Sequence, residues 1–250
     1  MTLRFAMMFL ALAAVVAGQP RPPAPVPVVV ELFTSEGCSS CPPADDLLSQ
    51  IEKLQPLRGI EVIALGEHVD YWNQLGWPDR FASALFTARQ EDYGRRFNLE
   101  SVYTPQMVVN GQAEVLGSDG AAAQREILKA AQGPRVAVEM SMLPGEVLTL
   151  KVEHLPQGTR QADILLAVTE TGIESDVRRG ENRGHTLRHT GVVRSLANLA
   201  VLDTRRAGVY TADARLNLKP DWKRENLKVV VFVQDRSNRR ILGAAARRPY

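Results

Sequence analysis

The sequence predicts a mixed α/β domain, a sheet flanked by helices, followed by a small all-β, sandwich-like domain. Three observations predict it. Hydrophobic periodicities alternate between strand and helix up to about residue 133; from Pro134 they change to short alternating or β-branched runs; and the only two cysteines stand where the first strand gives way to the first helix.

The chain opens with Arg4 and the apolar run Phe5 to Val16, the form of a secretory signal. A bilayer crossing takes about 20 apolar residues, more than this run holds, and Ala14, Ala17 and Gly18 offer cleavage positions. Residues 1–18 are therefore expected to be a signal peptide. Residues 19–27 carry five prolines in nine positions and are expected to form an extended linker. No later run is long enough to span a bilayer, so the expected location is the periplasm or the exterior, without a stable membrane span. The charge is nearly balanced, 30 Lys and Arg against 28 Asp and Glu, which supplies no electrostatic reason for a nucleic-acid partner.

Within residues 28–133 each element has its own signature. Val26 to Phe33 is a valine-rich run bounded by proline and by Thr-Ser-Glu-Gly, as in a buried strand. Leu47, Leu48, Ile51 and Leu54 recur at helical spacing behind Pro42 and Pro43, which fit a first turn because its N–H groups lack partners anyway. Ile60 to Leu65 reads as a second buried strand, and Phe81, Leu85, Phe86, Tyr93 and Phe97 as a helix from about Asp79 to Phe97. Met107 to Val109, Asn110-Gly111 and Ala113 to Leu116 form a hairpin signature, and Gly120 to Gln132 an alanine-rich helix.

In residues 134–250 the runs Val136 to Met142, Val147 to Val152, Ile164 to Val168, Val209 to Leu216 and Val229 to Val233 are expected to be sandwich strands. Thr169 to Val192, with Gly180-Glu-Asn-Arg-Gly184 inside it, lacks periodicity and is expected to be a long loop.

Cys38-Ser-Ser-Cys41 at the start of a helix points to thiol chemistry, because helix N-terminal N–H groups and the macrodipole favour a thiolate. Cys38 is then the attacking sulfur and Cys41 the resolving one. Two alternatives stay open. One is a structural disulfide in a non-catalytic binding module, although closing a four-residue loop gains only about 2 kcal/mol. The other is a carrier of a copper or zinc ion through Cys38, Cys41 and His68. Otherwise no cofactor is expected, and the expected partners are exported protein thiols and disulfides or small thiols.

Strand, Gly37-Cys38-Ser39-Ser40-Cys41, helix, and Thr104-Pro105 ahead of the hairpin together resemble the thioredoxin-like superfamily. The longer stretches Glu31 to Asp45, His68-Val-Asp-Tyr-Trp72, Tyr103 to Gly111 and Gly180 to Gly184 are similar to an uncharacterised family of secreted thioredoxin-like proteins with a C-terminal β domain. The resemblance implies a cis Pro105 against the cysteine pair and a Thr104 backbone that pairs with substrate. Gly37 replaces the tryptophan of the better-known thioredoxins, and Leu32 stands where they keep a buried aspartate. Glu31 is one residue off, a displacement that turns a strand side chain to the opposite face.

His68 and Glu31 are candidates for tuning the thiols, His68 against the alternative of a loop-capping histidine. Tyr71, Trp72 and Trp77 suit a peptide-binding surface and a packed aromatic loop equally. His185 and His189, among Arg178, Arg179, Arg183 and Arg188, read as solvated loop residues rather than metal ligands.

Overall fold

The computed structural model describes residues 24–205 and 208–249; the expected signal peptide and most of the linker lie outside them. In chain order the elements are β1 (Val26–Thr34), α1 (Pro42–Leu54), β2 (Ile60–His68), α2 (Ala84–Phe97), β3 (Gln106–Val109), β4 (Ala113–Leu116) and α3 (Gly120–Ala130). Then come β5 (Val138–Leu143), β6 (Val147–Val152), β7 (Gln161–Glu170), β8 (Ile173–Asp176), β9 (Thr186–His189), β10 (Val192–Asp203), β11 (Tyr210–Arg215), β12 (Leu227–Asp235) and β13 (Ile241–Arg247).

One eight-stranded sheet runs in the order β13-β12-β7-β10-β2-β1-β3-β4, so strands from both sides of residue 133 share it. β1 and β2 are parallel, and the β3–β4 hairpin adds antiparallel to β1. The halves meet where β10 touches β2 at Val192 opposite Gly66, with Gly66 N donating to Gly191 O at 2.7 Å. Two glycines make that junction passable. A Cβ on Gly66 would lie 3.1 Å from Thr190 O, and one on Gly191, at φ +61°, would lie 2.6 Å from Ala64 O. The boundary expected at residue 133 therefore separates α3 from β5 but does not divide the sheet.

Three apolar layers follow from the alternation of side chains along these strands. Val28, Val30 and Leu32 pack under α1 and α3 with Leu48 and Ile127. On the other face Val29, Ile63 and Leu65 join Phe86 of α2, and that core continues into Leu165, Val230 and Phe232 of the second half. The antiparallel sheet β11-β6-β5 covers the remaining face, its Leu148, Leu150 and Val152 packing on Ile164, Val231 and Val233. The sandwich thus forms between a small sheet and an extension of the large one.

Several elements differ from expectation. α2 starts at Ala84, not Asp79, because Ser83 caps it through its hydroxyl (Leu85 N to Ser83 Oγ, 3.2 Å) while the Asp79 carboxylate is bound elsewhere. β10 escaped notice because its alternate positions are polar or exposed, and β13 because it is rich in alanine and glycine. The expected loop 169–192 contains the β8–β9 hairpin, and its His189 is 3% exposed rather than solvated.

Candidate functional site

The parallel strands β1 and β2 end side by side, Thr34 opposite His68, and the chain leaving β1 turns through Ser35 to Ser40 into α1. Cys38 and Cys41 form a disulfide there, with Cα atoms 5.4 Å apart and both residues 0% exposed, while Ser39 and Ser40 face solvent. Cys41 is the N-cap of α1 and makes no side-chain cap bond.

The helix start offers less than the sequence pattern suggested. Pro42 and Pro43 carry no N–H, and the amides of Ala44 and Asp45 both donate to Cys41 O, at 2.9 and 3.1 Å. Cys38 N donates to Ser35 O, and Ser39 N to the Glu181 carboxylate at 3.0 Å. These amides are spent. Ser40 Oγ lies 3.3 Å from Cys38 Sγ and 3.5 Å from Thr104 O, so its one proton can be shared between them.

The Thr104-Pro105 bond is cis, and Ser40 ties that segment to the cysteine turn. Trp72 Nε1 donates to Thr104 Oγ1 at 2.8 Å, and the same side chain closes over Gly37, where a Cβ would lie 3.3 Å from Trp72 Cβ. Tyr71 donates to Gln90 Oε1 at 3.1 Å. A tryptophan beside the turn thus comes from the β2–α2 loop rather than from position 37.

Beneath the turn lies a buried polar cluster. Asp79 Oδ2 accepts from Glu36 N at 2.9 Å and sits 2.6 Å from His68 Nδ1, while Asp79 Oδ1 accepts from Phe81 N at 2.8 Å. Burial alone would raise the Asp79 carboxyl, but His68 and these amides outweigh it and hold it at about 2. The His189 ring stacks edge-on with His68 at 4.9 Å, and its Nε2 lies 3.4 Å from Glu36 Oε1. Trp77 Nε1 donates to Glu36 Oε2 at 2.7 Å. Burial would raise Glu36 as well; His189, Ser175 and Trp77 hold it below the ordinary carboxylate range.

Two further groups lie in stretches the sequence singled out without assigning these residues a role. Asp45, one turn beyond Cys41, is 7% exposed, and burial raises its carboxyl to about 7 despite a hydrogen bond from Thr34 Oγ1. Asn182 Nδ2 donates to both Glu36 O and Cys38 O at 2.9 Å, laying the Gly180–Gly184 strap on the turn. A cavity of about 450 Å³ opens beside them, lined by Ser39, Pro42, Asp45, Asn182, Leu187 and Arg188. The strap's sequence signals were its flanking glycines and its place in an aperiodic, family-like stretch; Asp45 had its place in the first turn and in the Glu31–Asp45 stretch.

The remaining candidates are not gathered at the disulfide. Glu31 faces α2, where its carboxylate accepts from Arg89 Nε and Tyr93 Oη at 2.5 Å each. His68 is spent on Asp79, and among the described residues no group of three or more His, Cys, Asp or Glu is arranged to hold a metal ion. No helix among the described residues is long and apolar enough to cross a membrane.

A family model described as a protein of unknown function, DUF1223, matches residues 29–234. Among solved structures, a crystal structure of a structural-genomics target protein from Agrobacterium tumefaciens is 29% identical, covers 92% of this chain and 96% of its own, and superposes with a TM-score of 0.71. A domain of the outer membrane lipoprotein Omp28 from Porphyromonas gingivalis shares 14% identity over 45% of this chain and 86% of its own, with a TM-score of 0.23. No curated protein matches the chain.

Proposed function

Because the chain belongs to the DUF1223 family, whose description assigns no activity, we propose its function from the site itself: thiol–disulfide exchange at Cys38 and Cys41 by an exported protein whose residues 28–133 are thioredoxin-like. The observation that carries this reading is the placement of the disulfide. It joins residues three apart, at the head of a helix and the end of two parallel strands, beside a cis X-Pro segment. A bond placed there closes a very short loop and does little to hold the fold.

In the oxidised state a partner thiolate attacks Cys38 Sγ, the Cys38–Cys41 bond breaks, and Cys41 leaves with the electron pair. A second partner thiolate then attacks the partner sulfur of the mixed disulfide and releases Cys38, so two electrons pass from partner to chain. The Ser40 hydroxyl is placed to donate to the Cys38 thiolate. Asp45, near neutrality and one turn along α1, is the buried acid closest in sequence to Cys41 and suits a proton exchange with it. Thr104 O and the adjoining cavity supply an acceptor and a recess for a partner segment. His68 tunes the turn indirectly, through Asp79 and Glu36 N.

The test is a trap. Reduced Cys41→Ser protein treated with an aromatic disulfide should release one equivalent of aromatic thiolate and retain the other on Cys38; Cys38→Ser protein should react much more slowly. If neither thiol outpaces free cysteine, the reading fails.

One observation favours a second reading. Both cysteines are fully buried, as in a stapled binding module with a fixed disulfide. Its mark is an equilibrium reduction potential below about −300 mV.

A further inference from the structure

The proposed exchange needs access to Cys38, and the structure withholds it. The segment that lies on the cysteine turn comes from more than 140 residues further along the chain. It is held there by three hydrogen bonds, two from Asn182 Nδ2 to the carbonyls of Glu36 and Cys38 and one from Ser39 N to Glu181 Oε2. Its ends are glycines at positive φ, Gly180 at +78° and Gly184 at +84°, a conformation side chains disfavour. Gly180 is also pressed on Trp77, since a Cβ there would lie 3.1 Å from Trp77 Cβ. Trp77 in turn donates to Glu36. Beyond Gly184 the chain enters β9, whose His189 meets the same Glu36 carboxylate.

Two features set these contacts apart from an ordinary loop packing. They are made to the backbone of Glu36, Cys38 and Ser39, so they do not depend on the redox state of the sulfurs. They also occupy polar groups that an incoming segment would otherwise use: Ser39 N as a donor, and Glu36 O and Cys38 O as acceptors. A polypeptide laid along the turn in extended form offers the same complement of donors and acceptors.

We propose that Gly180–Gly184 is the gate of the disulfide, with Glu181 and Asn182 as specificity-determining residues that reserve Cys38 for partners able to replace their three hydrogen bonds. The chemical class of partner this selects is an extended polypeptide thiol, not a small thiol lacking backbone amides and carbonyls. The proposal rests on the exchange reading above, but its test reads only the reduction of the chain's own disulfide, so each can fail without the other.

The experiment uses a water-soluble phosphine on the full chain and follows thiol formation by alkylation and mass. The phosphine attacks one sulfur and becomes the phosphine oxide with oxygen from water. The disulfide gains two electrons and two protons to give two thiols. Each lost hydrogen bond shifts the gate's opening equilibrium about fivefold, so Asn182→Ala, which loses two, should speed reduction about tenfold or more, and Glu181→Ala, which removes the acceptor of Ser39 N, about two- to fivefold. Glu181 is exposed, so its variant keeps the test usable if Asn182→Ala fails to fold. Leu148→Val, which loosens the separate core between the small sheet and β7 and β12, should leave the rate unchanged. Rates within twofold of the parent in both strap variants would overturn the proposal, as would an equal acceleration in Leu148→Val.

Discussion

Among the described residues, the buried polar clusters at α2 and under the disulfide turn are closed in different ways. Alongside α2, Glu31 and Glu67 are both 0% exposed and share one guanidinium, with Arg89 Nε 2.5 Å from Glu31 and 3.5 Å from Glu67. Tyr93 and Gln234 complete that network, linking α2 to β12. At the carboxyl ends of β1 and β2, Glu36, Asp79, His68 and His189 have no permanent cation among them. They are held by backbone amides, imidazoles and Trp77. The first cluster is built to hold charge in place. The second holds its two carboxylates with amides, an indole and imidazoles, and it is the one that lies under the disulfide turn and touches the strap.

The largest break in that comparison should come from Arg89→Met. Burial and the neighbouring Glu31 already push the Glu67 carboxyl well up, and removing the cation leaves two acids in one apolar site. Loss of about 3–5 kcal/mol in urea denaturation at pH 7 is expected, recovered in part as the pH is lowered. A loss unchanged by pH would assign the effect to packing alone.

The disulfide end should show a pH dependence of its own, with two opposing slopes. Asp45 has a folded value of about 7 against an ordinary 3.8, so its contribution is fully present below about pH 4 and is lost as pH rises through 7, a swing of about 4 kcal/mol. Asp79, held at about 2, contributes about 2 kcal/mol above pH 4 that is lost as pH falls through 2. Asp45→Asn should therefore flatten the alkaline slope and make the protein more stable at pH 8. A variant less stable at both pH 5 and pH 8 would contradict it.

Smaller effects separate the turn from its surroundings. Trp72→Phe removes the hydrogen bond to Thr104 and should cost about 1 kcal/mol in thermal unfolding. Ser40→Ala removes the hydroxyl 3.3 Å from Cys38 Sγ and should slow alkylation of reduced Cys38 at pH 6 severalfold while leaving stability within about 0.5 kcal/mol. Unchanged alkylation would return the thiolate's support to the helix dipole.

The same comparison explains what the sequence disclosed. β1, α1 and β2 were legible because their patterns are local: a valine run, helical leucines behind two prolines, a second apolar run. The disulfide pair lies between the first two of these elements, and Pro105 directly ahead of the β3–β4 hairpin. β10 was not legible, since exposed Ala197, Asn198 and Val201 interrupt its pattern and its partners are β7 and β2. His189 and Asn182 sit among charged turn residues and owe their burial to Glu36 and Cys38, contacts no periodicity encodes. Asp79 looked like the start of a helix because it precedes helical spacing, yet it caps the cysteine turn instead. The hidden part was the long-range polar contacts, together with the strands β8, β9, β10 and β13, whose patterns are weak.

The central claim is that Cys38–Cys41 is an exchanging pair rather than a staple, and the most direct test is its equilibrium with glutathione buffers, read by mass after alkylation. A potential between about −120 and −270 mV is the predicted result, placing the pair among working dithiols; one below about −300 mV would mark a fixed disulfide and contradict the account.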